Sequence, residues 1–156
     1  MTSERYFISA CLLGQKVRYD GRDCVVKELL ENLIPNQYIS LCPEVSGGLS
    51  IPRLPAEIQD GSGSEVLLKK ALVINILEND VSEPFIQGAY QALKVAQDFQ
   101  ATHAILKVKS PSCGSGLIYD GSFLGHQIQG DGVTAVLFKQ HGIIVMTEDE
   151  FLKTIF

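Results

Sequence analysis

The sequence predicts an α/β fold in a single domain over residues 1–156, with a mostly parallel sheet flanked by helices in the Rossmann-like manner. Three observations predict it. Short apolar runs such as Tyr6-Phe7-Ile8-Ser9-Ala10 and Ala104-Ile105-Leu106 read as strands covered on both faces. These runs alternate with segments of helical periodicity at the spacing of βαβ units. The length, 156 residues, suits one domain that buries enough surface to need no covalent staples.

The elements follow in order. The first strand, 6–10, is ended by Cys11 and the turn residue Gly14. Asp20-Gly21 marks a turn, after which residues 24–34 recur at helical spacing and stop before Pro35. Residues 38–41 form a second strand, closed by Cys42-Pro43 because proline has no amide to give a ladder. The stretch 44–64 reads as loop. Its first half bears Arg53 and Glu57 and is placed to cover a site, and its Gly/Ser half is a surface turn. Residues 73–77 form a short strand before the Glu78-Asn79-Asp80 turn. Ser82 and Pro84 open the clearest helix, with Ile86, Ala89, Leu93 and Ala96 on one apolar face, running to about Phe99. A third strand, 104–108, leads into Lys109-Ser110-Pro111-Ser112-Cys113-Gly114. Beyond it come two short strand candidates, a helix at 133–140 and a last strand at 143–145.

Composition narrows the function classes. Hydrophobic residues at 46% and charged residues at 20% describe a globular chain rather than a disordered one. No apolar run approaches the ~20 residues of a membrane span, so no membrane association is expected. The opening MTSERYFISACLLG holds too short an apolar stretch for a secretory signal, and a cytoplasmic location is the expectation. Thirteen basic against eighteen acidic residues give a net charge of −5, which supplies no footprint for duplex nucleic acid but leaves a small base or nucleoside open. The oligomeric state is not legible.

The cysteines carry the chemical signal. Cys11 and Cys42 follow the first and second strands, and Cys113 lies five residues past the third. Ligands of open α/β sheets bind outside the carboxyl ends of the strands. Adjacent parallel strands about 4.8 Å apart would therefore bring these three thiols together. In a reducing compartment disulfides are disfavoured, and convergent thiolates suit zinc or an iron–sulfur cluster. There is no C-x-x-C pair, and His103, His126 and His141 have no paired spacing; His103 and His141 read as helix-end or surface residues. A 4Fe-4S cluster on three thiolates needs no local pair and leaves one iron open as a Lewis acid. Three alternatives stand beside it: structural thiols, a non-catalytic zinc or small-ligand module, and a cluster-free persulfide sulfurtransferase with Cys113 as a low-pKa nucleophile.

Neighbouring residues bear on the choice. Glu44, two residues after Cys42, reads as a proton donor or water activator whose pKa burial would raise, or as a solvated loop glutamate. Ser110 and Ser112 flank Pro111, either as turn residues or as a proton relay. Cys24, at the start of a helical pattern, reads as a small hydrophobe. Gly130-Asp131-Gly132 reads as a tight turn with Asp131 as helix N-cap in preference to an anion site.

The segments SACLLG with VRYDG, CPEVSGGLSIPRLPAEI, SPSCGSGLIYDGSF and GDGVTA, in that order, resemble the thiouracil desulfidases, a small bacterial family formerly a domain of unknown function. The resemblance runs from about Ile8 to Val145. It implies a 4Fe-4S cofactor on Cys11, Cys42 and Cys113, with Glu44 of the CPE motif and Ser110 of the SPSC motif as catalytic residues. The implied activity is conversion of C=S to C=O in 2-thiouracil or a related thiolated base or nucleoside, the open iron accepting the sulfur. Arg53 and Tyr119 are then expected near the substrate.

Overall fold

The computed structural model describes residues 4–155. In chain order the elements are β1 (Tyr6–Ser9), a 3-10 helix (Ala10–Leu13), α1 (Lys27–Asn32), a second 3-10 helix (Pro35–Gln37), β2 (Tyr38–Leu41), α2 (Pro43–Ser46), β3 (Ala56–Gln59) and α3 (Gly63–Leu67). There follow β4 (Leu72–Asn75), α4 (Ser82–Asp98), β5 (His103–Ile105), β6 (Leu117–Tyr119), β7 (Gln127–Gln129), α5 (Val133–Gln140), β8 (Ile144–Met146) and α6 (Glu148–Ile155).

The central sheet has the order β2-β1-β5-β8, and every pair in it is parallel. The α/β expectation therefore holds, with helices on both faces. Alternation along β1 shows why the run is apolar throughout. Phe7 enters the core that holds Phe85, Ala89, Leu137 and Phe138, meeting the Phe138 ring edge-on at 5.0 Å. Tyr6 and Ile8 face the opposite core, with Leu12, Leu29, Ile105 and Phe151. From β1 the chain goes one way to β2 and returns to the other side for β5 and β8, so the reversal of strand order lies beside β1.

Several expectations are corrected. Residues 24–26 are not helical, because the Cys24 and Val26 amides are spent on the carbonyls of Cys11 and Leu12, and the helix is only Lys27–Asn32. The stretch 44–64 is not loop throughout: it contains most of α2, all of β3 and the start of α3. α3 opens on a capping box between Ser62 and Glu65. The 73–77 strand, bounded at Leu72–Asn75, pairs antiparallel with β3 outside the central sheet. The third strand stops at Ile105, so Cys113 lies eight residues past it rather than five. β6 and β7 form the antiparallel hairpin of the two short candidates. α6 was not foreseen, although Thr147 and Glu150 exchange side-chain to amide hydrogen bonds at its start.

α4 buries Ala89, Leu93 and Ala96 of the expected face, with Ile86 packed at its edge, and widens it with Phe85, Gly88 and Ala92. Its small residues have a purpose. A β-carbon on Gly88 would stand 1.9 Å from the Pro43 carbonyl oxygen, and one on Gly47 would stand 1.9 Å from that of Pro84. The short helix α2, with Glu44 on it, thus rests directly on the α4 backbone. Overpacking of this kind costs about 3 kcal/mol or more when the obstacle is backbone. Gly88→Ala is expected to lower the melting temperature by at least about 6 °C, read by thermal unfolding against the parent chain.

Candidate active site

Cys11 and Cys42 sit where a strand is forced to stop, and Cys113 lies in the loop that follows a third. Cys11 lies in the 3-10 helix after β1, which closes on Gly14 at φ 97. Cys42 follows β2, and Pro43 at the first position of α2 both ends the strand and starts the helix. Amides of the first turn of α2, those of Val45 and Glu44, face the Cys42 sulfur. β2, β1 and β5 are neighbours, so the segments bearing Cys42, Cys11 and Cys113 emerge side by side at one end of the sheet.

The Cys113 segment is held from two sides. The Ser110 hydroxyl oxygen accepts the amides of Cys113 at 2.6 Å and Ser112 at 3.2 Å, the turn chemistry expected of it, and its own proton remains to be donated. The first amides of α5 then donate to the loop: Val133 to the Pro111 carbonyl at 2.8 Å and Thr134 to that of Ser112 at 2.8 Å. The Ser112 and Thr134 hydroxyls meet at 2.7 Å in the core. A β-carbon on Gly132 would stand 2.5 Å from the Ser112 carbonyl, so the glycine is needed for this docking. Asp131 is not the N-cap, which is Gly132. Its carboxylate accepts the Gly116 amide at 2.9 Å and the Lys139 ammonium at 3.0 Å.

The thiols lie within electrostatic reach of one another. Burial pushes the Cys11 thiol pKa up, and the charges of Cys24, Cys113 and Cys42 push it further, against Lys107. Cys113 is pushed up to about 12, first by burial and then by Cys42 and Glu44, while the Ser9 and Ser112 hydroxyls oppose the shift. Burial also raises Cys42. Ser9 and Lys107 escaped the sequence reading. They meet through a hydrogen bond from the Lys107 amide to Ser9 Oγ at 2.9 Å.

Glu44 is pushed up by burial, and Arg53 opposes this by donating from Nε to Oε1 at 3.1 Å. The pair lines a cavity of about 510 Å³ together with Leu49, Ala56, Asn75 and Phe85. Arg53 thus lines the cavity beside Glu44, whereas Tyr119 pairs with Gln127 in the β6–β7 hairpin and lies outside that lining. Cys24 packs half-buried against the apolar cluster of Tyr6, Ile8 and Leu29, as a small hydrophobe would, and it also lies close enough to Cys11 and Arg18 to act on both electrostatically.

Residues 7–150 match the family model described as 2-thiouracil desulfurase. The chain belongs to that family. One relative within reach of this 2-thiouracil desulfurase family member is the uncharacterized protein YbbK of Bacillus subtilis (strain 168), 42% identical over 92% of this chain and 95% of its own. A solved structure, the 4Fe-4S-dependent thiouracil desulfidase TudS, superposes with a TM-score of 0.82 at 39% identity, covering 96% of this chain and 94% of its own.

The donor set of this 2-thiouracil desulfurase family member, three thiols within electrostatic reach of one another, is of the type that holds an iron–sulfur cluster. A multi-iron cluster asks each thiolate to bind a different iron. Raised thiol pKa values mean that thiolates here need a positive group among them, which a cationic metal core supplies. The same shift removes the basis of the persulfide alternative, since Cys113 is 5% exposed and the opposite of a low-pKa nucleophile.

Alkylation tests this directly. In the folded, metal-free protein, iodoacetamide labelling of Cys113 is expected to be still accelerating at about pH 10, where an ordinary thiol of pKa about 8.5 has levelled off. Peptide mass spectrometry reads the site, and levelling by about pH 10 contradicts the buried, charge-crowded thiol.

Proposed function

We propose that this protein is an enzyme that removes sulfur from 2-thiouracil or a related thiolated nucleobase or nucleoside. Cys11, Cys42 and Cys113 hold a 4Fe-4S cluster, and Glu44 and Ser110 are the catalytic side chains. The observation that carries the reading is the seating of three thiol-bearing segments at one sheet end, next to a carboxylate that faces both them and a cavity. Family membership and the likeness to TudS support it.

Bound there, the cluster would supply an iron without a protein ligand, a Lewis acid for a thiocarbonyl sulfur. The chain's own residues do the rest. Glu44, with its raised pKa, takes a proton from water as the water adds to the thiocarbonyl carbon. Arg53 holds the carboxylate in place through Nε and fixes its own position by donating from Nη1 to the Ser50 carbonyl at 3.2 Å. Ser110 retains a proton to give to the departing sulfur. The balance is thiocarbonyl plus water to carbonyl plus hydrogen sulfide. Such thiols and sulfide suit a reducing, cytoplasmic setting; among the described residues no helix is long and apolar enough to cross a membrane.

Anaerobic reconstitution followed by sulfide assay on a panel of thiolated bases tests the activity. Brown protein with about four irons per chain and sulfide release from 2-thiouracil are the expected results; colourless protein, or loaded protein without sulfide release, defeats it. Cys11→Ala, Cys42→Ala and Cys113→Ala are each expected to abolish the visible absorption, and Cys24→Ala to keep it. Glu44→Gln is expected to keep the absorption and slow sulfide release by about 10²–10⁴, measured as kcat.

A further inference from the structure

Asn75 closes β4, is 9% exposed as a residue, and lines the same cavity as Glu44 and Arg53. Its amide is oriented by the backbone. Oδ1 accepts the Leu77 amide at 3.0 Å and the Asn79 amide at 3.0 Å, so both lone pairs are engaged. Two N–H donors aimed at one atom also settle which end of the amide is oxygen. Nδ2, the other end, has no hydrogen-bond partner among the described residues. It is not fully buried, and Asn75 belongs to the cavity wall. Of the other polar side chains of the wall, Arg53 gives Nε to Glu44 and Nη1 to the Ser50 carbonyl while keeping further N–H groups, and Ser50 Oγ donates to the Pro52 carbonyl.

Resting on the desulfuration reading, we infer that Asn75 is a specificity-determining residue that selects an oxo over an amino group at C4 of the pyrimidine. The chemistry is one-sided. With Oδ1 occupied, Asn75 presents N–H groups and no acceptor. The ring of 2-thiouracil carries its thiocarbonyl at C2 and a carbonyl at C4. With the sulfur toward the thiols and C2 at Glu44, the C4 carbonyl is the remaining acceptor of the base and the group left for Asn75. A C4 carbonyl accepts from Nδ2. In 2-thiocytosine an amino group stands at C4 and brings donor against donor, and 2-mercaptopyrimidine, with hydrogen there, leaves Nδ2 unpaired. A buried polar group left without its partner is what makes such rejection strong.

The test needs no mutant to begin. In the cluster-loaded wild type, kcat/KM for 2-thiouracil is expected to exceed that for 2-thiocytosine and for 2-mercaptopyrimidine by at least about tenfold each. Equilibrium dialysis is expected to show uracil binding more tightly than cytosine by a similar factor. Asn75→Asp keeps Oδ1 for the Leu77 and Asn79 amides and replaces the donor by an acceptor. It is expected to shift the 2-thiouracil to 2-thiocytosine ratio by about 10² toward the amino base, with the visible absorption unchanged. No preference in the wild type, or an equal loss on both substrates in the variant, overturns the assignment, since a merely structural Asn75 would affect both bases alike. Should the loaded wild type release sulfide from no base, desulfuration falls, and the dialysis ratio still decides on Asn75: an unchanged uracil to cytosine ratio overturns it.

Discussion

The docking of the first turn of α5 onto the carbonyls of Pro111 and Ser112 is the constraint on which the site depends. A helix begins with amides that have no intrahelical partner, and a loop that dives into a core brings carbonyls that have lost water. Here each problem solves the other. The loop after β5 is thereby carried inward far enough to bury Cys113, and the Ser112–Thr134 hydroxyl contact locks the join. Gly132 is the point of closest approach, and Gly63 packs its own backbone on the far side of that same glycine, so α3 is fixed by the same contact.

A second glycine contact does for Cys42 and Glu44 what the first does for Cys113. α2 is a single turn and has little stability of its own. It holds its place because Gly47 and Gly88 let two backbones touch, while Pro43 sets the entry. The result is electrostatically tense. Burial disfavours the charged forms of Cys11, Cys42, Cys113 and Glu44, and Arg53, Lys107, the α2 amides and the serine hydroxyls only partly offset it. An arrangement of this kind is at rest with a cation among the thiols, which links cofactor loading to the release of protons.

What was legible in the chain was whatever depends on strand ends. Cys11, Cys42 and the apolar runs before them located the parallel strands and the edge where they terminate, because a buried strand has few ways to stop. Glu44 was legible by its place two residues after Cys42. Less visible were elements made by contacts distant in sequence. Residues 24–26 have helical spacing, yet their amides pair with the turn after β1, and that pairing brings Cys24 to Cys11. α3 and α6 announce themselves through Ser62 with Glu65 and Thr147 with Glu150, short signals outweighed by the Gly/Ser and charged composition around them. Asp131 had the type and place of a cap, but Lys139 and the Gly116 amide claim its carboxylate. Nothing local marks Asn75, whose orientation arises only when β4 ends and the chain turns back over it.

The cavity joins walls of two different kinds. On the side of Glu44 the position of the wall is dictated by main chain against main chain, where even a methyl group has no room. Leu49, Leu54 and Val81, which also line the cavity, are ordinary apolar side chains on segments between the packed elements. Exchanging them alters the shape offered to an incoming ring without disturbing the thiols. Descent with modification can therefore retune which molecule is accepted while the reactive half is inherited intact.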